Sequence, residues 1–463
     1  MTSSVASDQK ISVAPSPQED RSALKNVLHN IQTLAPAAPA GSEDKKPAPV
    51  VEKKVNEDAF PPPSKALTQE GEQGIRYDFN IGARIYVPAG KWIIRVRDLD
   101  TASILHEFRA GDVTFVARKK YWMNLRLEAV NEETGFSWSH SWNGKGKKIA
   151  IVLPGGTLGD SIAWFTYAAR FALVHDCKLT VIVAEHIREL FATRYKHITF
   201  MVRDEFSDDI RKEMYATYYM GLYFRDETNE FQPDDFRMLG LHRTAGALLG
   251  VDLTEEAPVP VVAEPDAPPI PDPYVVIAVQ GSSACKLWNN PTGWHAVVDY
   301  LKQLGYRVIC IDKEPVTGHG IHWNHLPNGV EDETGNRPLA ERARWIKYAD
   351  FFIGLSSGLS WLAWTVNAKI IMISGFTHPR NEFYTPWRIF SANGCNSCWH
   401  DVRVPFEHSN YLFCPRHKET QRQFECTRII TSEYVIQTID RLMKESHLIA
   451  PKDRKVKKVK TKK

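Results

Sequence analysis

KKIAIVLPGGTLGDSIAWFTYAARFALVH, residues 147–175, decides the fold. Its apolar start reads as a buried strand. Gly155, Gly156 and Gly159 permit a tight turn and close ligand approach, and DSIAWFTYAARFALVH reads as a helix. LTVIVA, IRELFATRY and ITFMV then repeat strand, helix, strand. That alternation is the pattern of a parallel sheet covered by helices, in the α/β class.

Residues 252–273 interrupt it with Pro258, Pro260, Pro265, Pro268, Pro269, Pro271 and Pro273. So dense a proline run cannot be a regular helix or central strand, so it reads as an interdomain linker. A second alternation follows. YVVIAVQ, YRVICID, ADFFIGL and KIIMISG read as strands, and WHAVVDYLKQLG, LAERARWIKYA and SWLAWTVNA as helices between them. A last helix is expected around SEYVIQTIDRLMKE. Two Rossmann-like domains, 148–251 and 274–447, would face each other across a cleft. Strand C-termini and helix N-termini would line it, where anionic ligands bind.

Outward of these, residues 75–147 carry short β-rich segments such as ARIYVPAG and KWIIRVRDL, the pattern of a small antiparallel barrel or sandwich. Trp92, Trp122, Trp138 and Trp142 read first as its core. Residues 1–74 are rich in Pro, Ala, Ser, Lys and Glu, too polar to offset ordering entropy, and read as a disordered extension with a short helix around SALKNVLHNIQTL. Residues 448–463 form a basic tail, read as a solvated end rather than a nucleic-acid site. A net charge of +3 argues for no polyanionic partner. With no long apolar run and no secretory signal, no transmembrane segment is expected and the cytoplasm is the default compartment.

Cys395, Cys398, Cys414 and Cys426 form a C-x2-C-x15-C-x11-C array in one polar, aromatic-rich stretch. Four thiolates at a tight first pair and two later positions suit a tetrahedral zinc or iron site. Disulfides or unrelated buried thiols are the alternatives, and the spacing does not choose the metal. Cys177, Cys285 and Cys310 stand alone in the sequence.

Four loops after strands carry candidate chemistry. Asp160 opens the first helix, where an ordinary N-cap would also suit it. Lys286, in VQGSSACKLWNN, is placed to meet a ligand phosphate, or is a solvated loop lysine. Ser356, Ser357 and Gly358 precede an apolar helix whose free N–H groups suit a pyrophosphate, or form a plain cap. His378, Arg380 and Glu382 follow another strand and suit a nucleotide or its ribose.

In this order, GD at the first helix, K-x-W after the first strand of the second half and S-S-G-L-S before a late helix resemble the ADP-heptose-dependent heptosyltransferases of lipopolysaccharide synthesis. The cysteine array and the β-rich segment narrow the resemblance to the iron-containing bacterial autotransporter heptosyltransferases, over roughly residues 75–447. This resemblance implies a GT-B glycosyltransferase that moves heptose from ADP-heptose to serines of an autotransporter adhesin passenger domain, with inversion. It implies Asp160 as general base, Lys286 at the phosphates, and Thr157, Leu158, Gly159, Ser356, Ser357, Gly358 and Glu382 around the donor. It implies one structural iron per chain on Cys395, Cys398, Cys414 and Cys426, where spacing alone also allows zinc, and no further nucleotide cofactor. A dodecamer in the cytoplasm of a Gram-negative bacterium is implied as well. Ser356 departs from the D-T-G-L of the lipopolysaccharide enzymes, which removes a carboxylate there. The alternatives are a lipopolysaccharide-type heptosyltransferase, a four-cysteine redox module, and a non-catalytic scaffold.

Overall fold

A computed structural model describes residues 61–153, 157–320, 322–404, 406–407 and 409–454. The expectations for residues 1–60, for Gly155 and Gly156, and for the last nine residues lie outside them.

Strands Thr199–Met201, Lys178–Ile182, Lys148–Val152 and Ala216–Tyr219 form a parallel sheet in that order. Four of the five residues in Lys148–Val152 are buried, as a strand covered on both faces requires. Helix Leu158–His175 packs over this sheet with a nearly continuous buried face.

The β-rich segment does not stand apart from this sheet. Strand Arg76–Asn80 pairs in parallel with Ala216–Tyr219, and Arg84–Val87 and Val113–Val116 extend the same sheet antiparallel. Strands Ile104–Ala110, Trp92–Asp98, Leu125–Asn131 and Ser137–Ser141 form a separate antiparallel sheet that shares the core. The boundary expected at 147/148 is thus crossed by hydrogen bonds. The cause is a buried polar seam. Asp78 accepts two bonds from Arg84 at 2.7 and 2.6 Å, and Asn80 bridges Thr217 and the Met214 carbonyl.

The same seam corrects the expected disorder of residues 61–74. Leu67 is buried, Thr68 Oγ1 donates to the Met214 carbonyl, Arg84 donates to the Ser64 carbonyl, and Gln69–Glu70 pairs with the next strand. Counting apolar residues misses such anchoring, because polar groups supply it.

Strands Glu331–Asp332, Arg307–Cys310, Tyr274–Ile277, Phe352–Leu355, Ile370–Ile373 and Arg388–Ile389 form a second, wholly parallel sheet. Helices Gly293–Gln303, Leu339–Tyr348, Gly358–Thr365 and Ser432–Glu445 accompany it. An antiparallel hairpin, Val316–His319 with His322–His325, was not anticipated. The proline-rich 252–273 carries no helix or strand and is held by single bonds such as Val261 N–H to the Leu190 carbonyl. Among the described residues no helix is long and apolar enough to cross a membrane.

The two sheets meet through helix starts. A Cβ on Gly159 would stand 2.9 Å from Trp361, and one on Gly358 would stand 2.8 Å from Leu158 Cβ. Only glycine lets helices Leu158–His175 and Gly358–Thr365 approach this closely.

Candidate functional site

A cleft of about 440 Å3 opens where these helix starts converge. Residues 157–160, Leu222 and Leu241 line it from the first half. From the second come residues 280–282, Lys286, residues 312–314, Thr317, residues 356–359, Trp361, Thr377, Asn381, Glu382, Trp399 and Phe406. Asp160, Lys286, Thr157, Leu158, Gly159, Ser356, Ser357, Gly358 and Glu382 all border this one space. His378 and Arg380 do not line it. They bond each other, with the Arg380 N–H and guanidinium donating to His378 Nδ1. Another cavity, of about 550 Å3, lies beyond the Ala284–Leu287 turn and is lined by none of these groups.

Asp160 stands in the first turn of its helix, but the N-cap is Thr157. Thr157 Oγ1 donates to Asp160 Oδ2 at 2.6 Å, which fixes one carboxylate oxygen at the cleft wall.

Lys286 ends a short 3-10 turn, Ala284–Lys286, and among the described residues forms no ion pair. Its charge is thus available to an anion. Ser357 caps helix Gly358–Thr365 from an extended backbone, with no side-chain bond to that helix. The first N–H groups of the helix face outward, as at phosphate-binding helix starts.

Glu382 is nearly inaccessible, at 3% exposure. Burial works to raise its pKa, but the Arg388 charge and hydrogen bonds from Ser356, Asn381 and Arg388 outweigh this and hold it below the usual carboxylate range. A buried carboxylate, that of Glu382, thus stands directly behind the Ser356 hydroxyl.

Several cleft residues were not singled out from the sequence. Asp312 follows strand Arg307–Cys310 and is buried, which pushes its pKa up to about 6 although Val279 N–H donates to it at 2.7 Å. An acid at a strand C-terminus in the second half was the available signal. Thr377 Oγ1, Asn381 Oδ1 and Trp399 Nε1, together with Ser357 Oγ of the expected turn, are buried at the cleft with no hydrogen-bond partner among the described residues. Buried polar atoms seldom remain so, and atoms like these point toward a ligand.

The four cysteines come to one place beside the cleft. Burial pushes the Cys398 thiol up to about 12, and neighbouring Cys395 and Cys414 add to the rise. Cys426 is raised by burial and by Cys285, Cys398, Cys395 and Cys414 around it. Phe424 N–H donates to Cys414 Sγ at 3.4 Å, and the Arg416 charge lies close to Cys395 and Cys398. Cys285, solitary in the sequence, joins this group. The donor chemistry fits a thiophilic ion such as iron or zinc, whose charge would stabilise as thiolates the sulfurs that burial otherwise keeps as neutral thiols. Among the described residues no three His, Cys, Asp or Glu side chains stand in a finished metal-holding arrangement.

Residues 71–133 match the family described as Glycosyltransferase TibC, N-terminal domain, and residues 228–401 match Glycosyltransferase family 9 (heptosyltransferase). The chain is 46% identical over 385 residues to autotransporter heptosyltransferase BAHTCr of Citrobacter rodentium, spanning 83% of this chain and 92% of that one. It is 34% identical over 410 residues to a Burkholderia thailandensis protein named inactive autotransporter heptosyltransferase BimC, spanning 88% and 96%. Among solved structures, the iron-containing dodecameric glycosyltransferase TibC of enterotoxigenic E. coli H10407 is similar at TM-score 0.79 and 44% identity, over 84% of this chain and 100% of that one. TibC in complex with ADP-D-beta-D-heptose gives TM-score 0.77 and 43% identity over the same shares.

Proposed function

We infer function from one premise: this chain belongs to the autotransporter heptosyltransferase family. It is a heptosyltransferase of glycosyltransferase family 9. The finer reading is a GT-B enzyme that transfers heptose from ADP-heptose to serine hydroxyls of an autotransporter adhesin passenger domain. One observation carries it. Asp160, Lys286 and the Ser356–Ser357–Gly358 turn come from three distant stretches and border a single cleft.

The donor pyrophosphate lies between Lys286 and the N–H groups that open helix Gly358–Thr365. Asp312, at a strand C-terminus of the second sheet, suits the ribose hydroxyls. The acceptor serine enters from the side of Asp160. Asp160 takes the hydroxyl proton while the serine oxygen attacks the anomeric carbon from the face opposite ADP. The carbon–oxygen bond to the diphosphate breaks, and its electron pair leaves with ADP. Lys286 and the helix N–H groups stabilise that charge, so no separate general acid is required.

Cys395, Cys398, Cys414 and Cys426 would hold one structural iron, with zinc as the other fitting ion. A closed four-sulfur shell leaves no open position for substrate. Iron would colour the purified protein and zinc would not. A dodecamer completes the reading, from its likeness to the dodecameric TibC.

BimC favours a second reading, in which this chain too is inactive. The presence of Asp160 and Lys286 in the cleft supports activity. The deciding experiment is the intact mass of an adhesin passenger fragment after incubation with the protein and ADP-heptose. Heptose-sized increments, lost with Asp160→Asn, are expected. ADP binding without any increment would favour the inactive reading.

A further inference from the structure

The turn that carries Lys286 is tied to the cysteine segment by hydrogen bonds. It is short and would be loose alone. Asn289 staples it from within: Nδ2 donates to the Ala284 and Leu287 carbonyls, each at 2.9 Å, on either side of Lys286. The same amide donates at 3.0 Å to Thr427 Oγ1, and the Asn289 backbone N–H reaches that oxygen at 3.3 Å. Thr427 is 1% exposed and directly follows Cys426.

The clamp has a second jaw. Ala284 N–H and Ser283 Oγ both donate to the Tyr411 carbonyl, at 2.9 and 2.8 Å, three residues before Cys414. Trp288 Nε1 donates to the Ile430 carbonyl at 2.9 Å. Every bond leaving this turn named here ends on the segment that carries Cys414 and Cys426. Cys285, inside the turn, lies near those two sulfurs.

The geometry points to Thr427 as a positioning residue for Lys286, through which the four-cysteine unit and the donor-phosphate site favour each other's ligands. This rests on the reading of Lys286 as the cation that meets the donor diphosphate. Linkage makes the effect reciprocal. If an ordered cysteine unit improves ADP affinity, bound ADP improves metal retention by the same factor at equilibrium.

The test is ADP titration calorimetry on metal-loaded full-length protein, with iron and zinc content measured in each sample. Thr427→Val keeps the shape and deletes the acceptor. At unchanged metal content it should weaken ADP about fivefold to tenfold, the worth of one or two buried hydrogen bonds. Thr427→Ser should restore affinity, which a role in packing alone would not allow. In a Lys286→Ala background, Thr427→Val should cost nothing further. A Thr427→Val protein with normal ADP affinity, or an equal loss in both backgrounds, overturns the proposal. Lys286→Ala with normal affinity instead overturns the reading of the lysine beneath it. Should Thr427→Val fail to fold, the wild type decides: ADP should slow removal of the metal by a chelator, and a rate indifferent to ADP overturns the linkage.

Discussion

Two strand-to-helix turns meet at the cleft, and they are built in opposite ways. The first presents Asp160, partly exposed, which accepts a hydrogen bond from Thr157 three residues earlier. The second, at Ser356, is backed by layers: the serine donates to Glu382, which is buried and paired with Arg388. A carboxylate that must accept and release a proton suits a wall open to the acceptor. A carboxylate that must hold a backbone anion site in shape suits full burial and saturated hydrogen bonding. The difference teaches that two carboxylates at one cleft can differ in access: Asp160 stands at the wall, open to what enters, whereas Glu382 is enclosed and braces the Ser356 turn.

Asp160→Asn should break the first side of this contrast most severely. Heptose transfer should fall by about 10²–10⁴-fold, the usual worth of a general base, with ADP affinity unchanged by calorimetry. Loss of ADP binding in that variant would instead make the residue a support. Glu382→Gln tests the second side. It leaves the Arg388 guanidinium buried without its counter-charge, so stability should drop by about 3–5 kcal/mol in denaturant titration. Because the folded pKa of Glu382 is depressed, its stabilisation is present above the ordinary carboxylate range and lost as pH falls through the folded value. The Gln variant should lack that acid-side loss.

A smaller effect is expected at the contact between the turns. Gly358→Ala brings a Cβ to 2.8 Å from Leu158 and should cost about 1–3 kcal/mol, with poorer ADP binding as the helix starts are pushed apart. Asp312 gives a signal that appears only as pH is changed. Its pKa is raised to about 6, so the folded state holds its proton more tightly than the unfolded chain does. Stability should therefore decline as pH rises from about 4 to about 6, at up to about 1.4 kcal/mol per unit. Asp312→Asn should flatten that slope.

The parts of this molecule that were legible in the sequence share a cause. Strands such as KIAIV and YVVI are buried on both faces, so the apolar run announces them, and each ligand-facing loop follows such a strand. Cleft residues more than two hundred positions apart could thus be grouped by their place after a strand. What stayed hidden depends on contacts that no local pattern records. Strand RYDFN joins the first sheet through buried Asp78 and Asn80, residues that local propensity assigns to turns. Cys285 reaches the cysteine unit because its turn bonds Tyr411, and the solitary thiol in SSACKLW gives no sign of it. Thr377 and Trp399 look like ordinary loop and core residues until their unpartnered atoms are seen at the cleft.

The close approach of Gly159 to the Trp361 side chain and of Gly358 to the Leu158 side chain works as a spacer gauge. The two helix starts come no nearer than these contacts allow, and any larger residue at either glycine would hold them further apart. The width of the opening between Asp160 and the first residues of helix Gly358–Thr365 is thus set by two carbons that the chain leaves out.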